Sequence, residues 1–343
     1  MTPDISIIVV TFNGRDQALL TLRSAQAAVG DASVEWIVVD SGSTDGTPDA
    51  IERAYPDVTV VRAENRGFAA GNNVGMKLAR GRYVLLMNPD IEIQSGTLAE
   101  LVAAMDARPD VGIASVVQIG ADGNLQYSIR RFPSPARDLG EALAANRWPI
   151  FATQHEVETR GDVYARESSV DWLVGAFLMA RQDAVAAIGP MDEAFFLYSE
   201  EVDWCYRFRQ GGWDVRHLPT MTVIHHAGRR DRGDLMAQLA HSRKLFSQKH
   251  FSARRSLQIR CALALGHVVR IIVLAPRAIA GRRGARARIG AESRALMVQF
   301  GVSDPPYAAQ QRATAPSADA SASASGDARA PGSDEPQPSH LTV

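Results

Sequence analysis

The chain has 343 residues, 37 of them basic and 38 acidic, and 46% of its residues are hydrophobic. This length is enough for two or three domains or for one large α/β domain, and the composition excludes a collagen-like or wholly disordered protein. No CxxC or Cys/His spacing surrounds the two cysteines, Cys205 and Cys261, which argues against a disulfide scaffold or a structural zinc site and favours an intracellular protein.

An apolar run begins at Ile5 without a basic n-region before it, so we expect a first strand there rather than a secretory signal. From this point β-branched runs alternate with segments of helical period. They predict strands at 5–11, 34–40, 58–62 and 83–88 and helices at 16–29, 48–54, 68–80 and 95–107. This alternation is typical of a parallel sheet with helices on both faces.

Polar side chains follow three of the predicted strands. Thr11 and Asn13 come after the first strand, Asp40 ends the second, and Asn88 and Asp90 come after the fourth. Open α/β sheets bind ligands beyond the carboxyl ends of their strands, so we expect these residues to share one ligand-binding edge. No GxxxxGK[ST] or GxGxxG motif follows the first strand, which argues against a P-loop NTPase and a dinucleotide-dependent dehydrogenase.

Asp90 is a candidate metal ligand, because a carboxylate after a buried strand suits Mg²⁺ or Mn²⁺ on phosphate groups. Ordinary turn chemistry is the alternative, since Pro89 precedes it. The glycine-rich stretch 65–73 opens the helix predicted at 68–80, so its backbone N–H groups are candidates for binding an anion. Asp40 and Asp90 on either side of this stretch in sequence favour nucleotide binding.

The second half has a less regular pattern. Residues 118–169 predict a loop-rich insertion, 171–180 one buried strand, and 181–188 a short helix. Residues 213–218 and 220–226 predict two further strands, the second ending in two histidines. Because adjacent strand residues point to opposite faces, we expect one of these histidines at most to reach a shared ligand.

A helix predicted after Ser199, its candidate cap, contains Glu200 and Glu201 in its first turn, and Asp203 is spaced to pair with Arg207. Acids are favoured in a first turn by the helix dipole alone. Aromatic residues surround this pair, however, so burial of one carboxylate and a role as general base form the alternative.

Eight motifs in order resemble the inverting glycosyltransferase family 2, and within it rhamnosyltransferase-like enzymes. They cover about residues 5–250 and read VVTFNG (9–14), VVDSGSTDGT (38–47), ENRGFAAGNN (64–73), MNPD (87–90), QYSIRRFPS (126–134), DWLVGAFLMAR (171–181), FFLYSEEVDWCYR (195–207) and IHHAG (224–228).

This resemblance implies a GT-A fold, with a mostly parallel central sheet flanked by helices, and a divalent cation, Mg²⁺ or Mn²⁺. It implies that a nucleotide sugar contacts Thr11, Asn13, Asp40, Asn65, Gly71, Asn72, Asn88, Asp90 and Arg130. Asp90 and His225 would hold the metal, with His226 as the alternative to His225. The family's base is the second acid of a Glu-Asp pair, and this chain has Glu201 there, so Glu201 or its neighbour Glu200 is the predicted base.

The QYSIRRFPS motif resembles those of enzymes that use dTDP-rhamnose, and galactofuranose or another sugar remains the alternative donor. The resemblance implies a glycan or a polyprenyl-diphosphate-linked acceptor in the synthesis of cell-envelope polysaccharide. A non-catalytic nucleotide-sugar-binding protein is a second alternative. A nucleotidyltransferase is a third, but 11–14 is not the glycine-rich, Arg- or Lys-containing loop that such an enzyme carries after its first strand.

The segment 251–300 contains ten arginines and one acid, Glu292. Its apolar part, 257–279, is interrupted by arginines and by Pro276, so we expect a broken helix that is a poor candidate for spanning a membrane. An interfacial helix on an anionic membrane and a helix packed on the catalytic domain both stay open. The scarcity of aromatic residues argues against nucleic-acid binding.

The sequence therefore predicts a GT-A domain at 1–250, with a nucleotide-sugar-binding half at 1–117 and an acceptor half at 118–250. A basic helical segment at 251–300 and a disordered tail at 301–343 follow. We expect a cytoplasmic protein, peripheral on the inner face of the cell membrane.

Overall fold

The computed structural model of the chain describes residues 2–143, 155–226 and 232–308. Up to Met87 its elements alternate between strand and helix as predicted, and a strand at 91–95, which was not predicted, follows directly. In chain order they are β1 (Ile5–Thr11), α1 (Arg15–Ala27), β2 (Val34–Asp40), α2 (Thr47–Ala54), β3 (Thr59–Arg62), α3 (Phe68–Leu78), β4 (Tyr83–Met87), β5 (Ile91–Ser95), α4 (Leu98–Asp106) and β6 (Val111–Ile119).

The following elements are shorter at first and then become long helices. They are β7 (Ile129–Arg130), α5 (Pro135–Ala142), α6 (Gly161–Tyr164), β8 (Ser168–Ser169), β9 (Trp172–Leu173), β10 (Phe177–Arg181), α7 (Gln182–Ile188), α8 (Glu200–Gln210), β11 (Asp214–His225), α9 (Arg232–His250), α10 (Ala253–Ile279) and α11 (Ala285–Phe300).

One nine-stranded sheet crosses the described part of the chain in the order β3-β2-β1-β4-β10-β6-β11-β5, with β8 paired to β11. The pairs among β3, β2, β1 and β4 are parallel, as predicted, and β11 is parallel to β6. β10 is antiparallel to both of its neighbours, and β5 is antiparallel to β11. β7 and β9 form a separate two-stranded sheet.

Helices cover both faces of the large sheet, as the continuous apolar strands predict. Along β1, Ile5, Ile7 and Val9 pack in one buried cluster, which includes Ala18 and Leu22 of α1. The intervening Ile8 packs in a second cluster on the opposite face. The architecture is therefore that of a layered α/β protein, and polar residues follow β1, β2 and β4 at its carboxyl edge.

The structure corrects two strand predictions. Segment 171–180 is two strands, because β9 pairs with β7 in the small sheet and the chain then crosses to β10 in the large one. Segments 213–218 and 220–226 form a single strand, β11, whose pairing with β6 shifts register between His217 and Thr222. An apolar run shows that a segment is buried but not which sheet it joins.

The last helices pack together: α11 lies against α9 and α10, and α10 lies also against α5. The predicted break at Pro276 is wrong, because α10 continues to Ile279 with Pro276 in its final turn, where few hydrogen bonds remain to be lost. Residues 301–308 of the predicted disordered tail are described, and the Tyr307 ring stacks on Phe196 at 4.6 Å between centroids. Residues 309–343 lie outside the described part.

Contrary to expectation, α10 is by length and composition a candidate membrane span. Among the described helices it alone contains an 18-residue window with mean hydropathy 1.7, since its arginines are far enough apart to leave two charges or fewer in that window. A third of that window is buried in the protein. The helix is also joined to α11 by charge, since Glu292 accepts hydrogen bonds from His267 and Arg270.

Candidate active site

The ends of β1 and β2 present buried oxygen atoms without hydrogen bonds. Thr11 and Asp40 are neighbours in the parallel register, and both are at most 2% exposed. Asp40 Oδ2 accepts a hydrogen bond from the Ser43 backbone, but Asp40 Oδ1 and Thr11 Oγ1 have no partner among the described residues. An unsatisfied buried polar group costs about 1–3 kcal/mol, so these atoms are suited to bind donor groups of a ligand.

Asn13 connects the loops that follow these two strands. It adopts a left-handed backbone conformation, with φ 49°, and its Oδ1 accepts a hydrogen bond from Thr44 N at 2.8 Å. Its own N–H donates to Ser43 Oγ. Asn88, which follows β4, has a buried Oδ1 with no partner in the described residues. Thr11, Asp40 and Asn88 thus each have a buried oxygen without a hydrogen bond at one edge of the sheet. Asn13 joins the two loops beside them by hydrogen bonds.

The glycine-rich stretch is used for packing. A Cβ on Gly71 would lie 2.7 Å from Val10 Cγ1, so α3 approaches β1 more closely than any larger residue allows. Asn72 is 1% exposed and donates to the Phe68 carbonyl, and Asn65 Oδ1 accepts from Gly67 N. The Phe68 amide, which was expected to face an anion, donates to the Phe196 carbonyl at 2.8 Å. A contact of Asn65, Gly71 or Asn72 with a nucleotide stays a prediction.

Asp90 and His225 meet at the same edge. His225 Nε2 lies 3.5 Å from Asp90 Oδ1, although the two residues are far apart in sequence. Gln126 holds the histidine on its other side: His225 Nδ1 is 3.1 Å from Gln126 Oε1, and Gln126 Nε2 donates to the His225 carbonyl. An N–H at Nδ1 bonded to this oxygen leaves Nε2 with its lone pair directed at Asp90, the arrangement common in metal-binding histidines.

The neighbouring His226 points elsewhere. Its Nε2 lies 2.9 Å from Glu92 Oε2, and its backbone N–H donates to the Asp90 carbonyl. The expectation that one of the two histidines at most reaches the shared site is confirmed, and that histidine is His225.

When a carboxylate oxygen and an imidazole nitrogen bind one cation, each at about 2.1 Å, the two atoms lie about 3–4 Å from each other. The distance between Asp90 Oδ1 and His225 Nε2 meets this requirement. In the described residues no group of three or more His, Cys, Asp or Glu side chains could hold a metal ion. Mg²⁺ and Mn²⁺ commonly bind through one or two protein ligands plus substrate phosphates and water. The pair therefore fits a cation whose binding is completed by a nucleotide.

The acidic pair begins α8 after a strained turn. Tyr198 and Ser199 both have positive φ, 68° and 66°, which is unusual for residues with side chains. Ser199 occupies the cap position, but its side chain makes no capping hydrogen bond, so that part of the prediction is wrong. Such strain persists where the surrounding structure enforces it, often at functional sites. Here it directs the first turn of α8 into the protein.

Glu200 is buried and Glu201 is half-buried, and the Oε2 atom of each is inaccessible and has no hydrogen bond to the described residues. Burial first, and then the charge of Glu201, raises the pKa of Glu200 well above its usual value. Burial also raises the pKa of Glu201, while hydrogen bonds from backbone N–H groups and the Arg130 guanidinium oppose the rise. The helix dipole, which explains most acids in a first turn, does not explain why an oxygen of each of these two carboxylates is held out of water at an energetic cost.

Gly175 connects the acidic pair to the strand-end site. A Cβ on Gly175 would lie 3.3 Å from Glu201 Cβ, so the glycine leaves room for this side chain. The next residue, Ala176, accepts a hydrogen bond from Asn88 N at 2.9 Å. Glu201 and the Asn88–Asp90 turn are therefore held on either side of one short segment.

Arg130 lies on the second sheet, close enough to Glu201 for their charges to interact. Its guanidinium is 5.8 Å from the Trp172 ring centroid, and its Nε donates to the Tyr127 carbonyl. It joins the acid half of the site, and its predicted contact with the nucleotide sugar is untested.

Asp203 is the centre of an ion-pair cluster that sequence spacing reveals in part. The predicted pair with Arg207 is confirmed at 2.8 Å, and Lys249 Nζ and His250 Nε2 each lie 2.6 Å from Asp203 Oδ1. Because Lys249 and His250 belong to α9, no local pattern in α8 could indicate them. The cluster fixes α8, and with it the acidic pair, against α9.

Comparison with known proteins places the chain in a family. The model of glycosyl transferase family 2 matches residues 6–185. The chain is similar to the N-acetylglucosaminyl-diphospho-decaprenol L-rhamnosyltransferase of Mycobacterium tuberculosis, with 28% identity over 259 residues that cover 70% of this chain and 81% of that protein. It is similar to rhamnosyltransferase WbbL of Escherichia coli K12, with 24% identity over 169 residues, 47% of this chain and 61% of that one.

The fold is shared with the mannosyltransferase PcManGT of Pyrobaculum calidifontis, solved in complex with GDP-Man and Mn²⁺, at 16% identity and a TM-score of 0.54 over 88% of this chain and 87% of that chain. The predicted GT-A architecture is thereby confirmed. Because the family match covers more than half of the chain, the protein belongs to glycosyl transferase family 2 and is a glycosyltransferase.

Proposed function

We propose that the protein transfers L-rhamnose from dTDP-L-rhamnose to a hydroxyl of a sugar that is linked to a polyprenol through a diphosphate, with inversion at the anomeric carbon. The observation that carries the catalytic part is the half-buried Glu201, whose inaccessible Oε2 lacks a hydrogen bond and which packs on Gly175, next to the residue that bonds Asn88. The donor and acceptor are proposed by similarity to the M. tuberculosis enzyme, named as a rhamnosyltransferase for a decaprenol-linked substrate.

Glu201 is the proposed general base. Its carboxylate accepts the proton of the acceptor hydroxyl, whose oxygen forms a bond to the anomeric carbon while the bond from that carbon to the phosphate oxygen breaks. The nucleoside diphosphate leaves with the electron pair. Glu200 fits this role less well, because burial and the charge of Glu201 raise its pKa well above its usual value.

Thr11 and Asp40 are proposed to bind the nucleoside through their unpaired oxygens. Asp90 and His225 are proposed to hold Mg²⁺ or Mn²⁺, and such a cation would neutralise charge that develops on the leaving diphosphate. Gln126 positions His225 for this role.

Thermal unfolding with a panel of nucleotide sugars tests the donor. A ligand present at 100 times its Kd adds about 2.7 kcal/mol of stability, so dTDP-rhamnose with Mn²⁺ should raise Tm by several degrees. UDP-galactofuranose and GDP-mannose should give much smaller shifts, and Asp90→Asn should abolish the Mn²⁺-dependent part. A larger shift with another donor contradicts the proposed sugar, and NMR of the transferred sugar's anomeric configuration tests inversion.

We also propose that α10 attaches the enzyme to the anionic cytoplasmic face of the membrane. Its exposed apolar residues lie at helical spacings of three, four, seven or eight positions and form one stripe, which runs from Leu257 through Leu265, Val268 and Ile272 to Ile279. This stripe is about 33 Å long at 1.5 Å per residue. The contacts of α10 with α5, α9 and α11 favour a helix that lies on the bilayer.

Exposed arginines follow the stripe, at positions 277, 282, 283, 286 and 288. Flotation with vesicles of phosphatidylglycerol and phosphatidylethanolamine tests this attachment, with phosphatidylcholine vesicles as the neutral control. Ile272→Glu should reduce flotation at least tenfold, because burial of such a side chain contributes about 1.5–3 kcal/mol. Val273→Glu is the matched control, since Val273 is also exposed but lies off the stripe. Equal flotation of both variants with the wild type contradicts membrane attachment by the stripe.

A further inference from the structure

A cavity rich in arginine includes Arg130, whose charge interacts with that of the proposed base. It has a volume of about 360 Å³, within the range of small-ligand sites. Its basic lining residues are Arg130, Arg131, Arg137, Arg160 and Arg166. Its acidic lining residues are Glu158 and Asp171, so the lining has an excess of three positive charges.

The two acids leave much of this charge uncompensated. Glu158 is bound by Arg131 at 2.5 Å and by Arg160 at 3.0 Å. Burial alone would raise the pKa of Glu158, but these guanidiniums lower it to about 2, so it is ionised and fully engaged. Asp171 accepts a backbone hydrogen bond from Phe132 and lies 3.9 Å from Arg137.

Two of the other arginines, Arg166 and Arg130, are not neutralised by a strong ion pair within the described residues. Arg166 pairs with Asp162 at 3.1 Å, but both side chains are more than 60% exposed, and such pairs contribute little. Arg130 makes no ion pair within the described residues, although its charge interacts at longer range with that of Glu201. An anion bound in the cavity would thus meet several guanidinium groups close to the reaction centre.

The donor's diphosphate is not the anion that this cavity fits. The lining residues all come from 129–171, and none belongs to the ends of β1, β2 or β4, where the unpaired acceptors and the Asp90–His225 pair lie. An acceptor, in contrast, must place its hydroxyl at Glu201 and extend away from the donor. Arg130 is the residue common to the cavity and the surroundings of Glu201.

We propose that this cavity is an acceptor subsite, in which arginine side chains bind the diphosphate that links the acceptor sugar to its lipid. The inference rests on the proposed function and deepens it, because it assigns acceptor selectivity to a charge-lined site separate from the donor site. Guanidinium groups bind phosphate oxygens in bidentate geometry, which gives selectivity as well as affinity.

Two acceptors that differ in one linkage test the proposal. N-acetylglucosamine joined by a diphosphate to a short isoprenoid is compared with the same sugar on a neutral alkyl chain. The wild type should have a KM at least tenfold lower for the diphosphate acceptor. Arg160→Gln combined with Arg166→Gln should remove this preference and leave the donor KM unchanged; both side chains are exposed enough that folding is not at risk.

Arg23→Gln combined with Arg53→Gln is the matched control, because both arginines are exposed and lie outside the cavity. This control should keep the wild-type preference. Equal KM values for the two acceptors in the wild type overturn the proposal, as does an unchanged preference in the Arg160/Arg166 variant.

Calorimetric binding of inorganic diphosphate gives a readout that does not require transfer. In EDTA, where no cation bridges it to Asp90, diphosphate should bind the wild type and the control and bind the Arg160/Arg166 variant at least tenfold more weakly. If no donor produces a thermal shift, the proposed function fails, while this binding experiment still decides about the cavity.

Discussion

Glutamine in place of Glu201 removes the ionisable group of the proposed base and keeps the size of its side chain. General base catalysis contributes about 10²- to 10⁴-fold to a rate, so we expect kcat to fall by this factor, about 3–5.5 kcal/mol of transition-state stabilisation. Glu200→Gln is the matched control in the adjacent position. Glu200 is 4% exposed, and burial together with the charge of Glu201 raises its pKa and so favours its neutral form, which the amide resembles; kcat should therefore stay within about tenfold.

The pH dependence of the rate follows from the raised pKa of Glu201. The rate should fall on acidification as Glu201 becomes protonated, at a pH above the usual glutamate pKa of about 4.3. Arg130→Gln should move this limb to higher pH, because it removes a charge that lowers the pKa of Glu201.

Stability has its own pH dependence. The pKa of Glu200 is higher in the folded than in the unfolded state, so its contribution to stability is present below the unfolded value and is lost as pH rises towards the folded one. Between the unfolded and the folded pKa values, the free energy of unfolding falls by about 1.4 kcal/mol for each rise of one pH unit. Glu200→Gln removes the loss, so the stability of this variant relative to wild type should be greater at pH 8 than at pH 4.5.

Single-turnover rates at saturating donor, measured from pH 5 to pH 9, would test the kinetics, and urea unfolding at pH 4.5 and pH 8 would test the stability. Equal losses of kcat in the two variants would refute the assignment of Glu201 over Glu200, and so would near wild-type turnover of Glu201→Gln. A urea midpoint of Glu200→Gln that follows the wild type at both pH values would refute the raised pKa of Glu200.

Three further predictions concern the metal pair, the sheet packing and the α8 cluster. His225→Gln should raise the Mn²⁺ concentration needed for half-maximal activity at least tenfold, because it removes a metal ligand beside Asp90. The control His226→Gln should leave that concentration unchanged, since His226 lies against Glu92. Equal effects of the two variants would contradict a metal site formed by Asp90 and His225. Gly71→Ala should lower the free energy of unfolding in urea by about 1–3 kcal/mol through overpacking on β1, whereas Gly290→Ala, in open space on α11, should raise it by about 0.5–1 kcal/mol. Burial alone would raise the pKa of Asp203, but hydrogen bonds from its cationic partners on α9 lower it to about 2, so wild-type stability should be lost as pH falls below about 4. Asp203→Asn should cost about 3–5 kcal/mol at pH 7 and lack this acid-dependent loss, and a variant as stable as wild type at pH 7 would show that the cluster does not fix α8.

Local patterns predict much of the nucleotide half. The first two strands have the predicted bounds, because both are apolar runs that end at a polar residue and need no distant information. The convergence of Thr11, Asp40 and Asn88 follows from strand ends in a parallel sheet. The Asp203–Arg207 pair follows from helical spacing. The strand bounds and the helical pair depend on residues near one another in the chain, and the convergence follows from the general rule for parallel strand ends.

The catalytic arrangement depends on contacts between distant segments. The sequence determined which residue types follow each strand and that two acids begin a helix. The tertiary structure decided that β10 lies antiparallel inside the sheet, that Gln126 orients His225, and that Arg130 is close enough to Glu201 for their charges to interact. It also decided that Glu200 is buried and that Glu201 is half-buried with an inaccessible Oε2, since burial depends on what the rest of the chain packs around a helix. A raised carboxyl pKa is a property of that enclosure, and hydrophobic periodicity reports only which face of an element is covered.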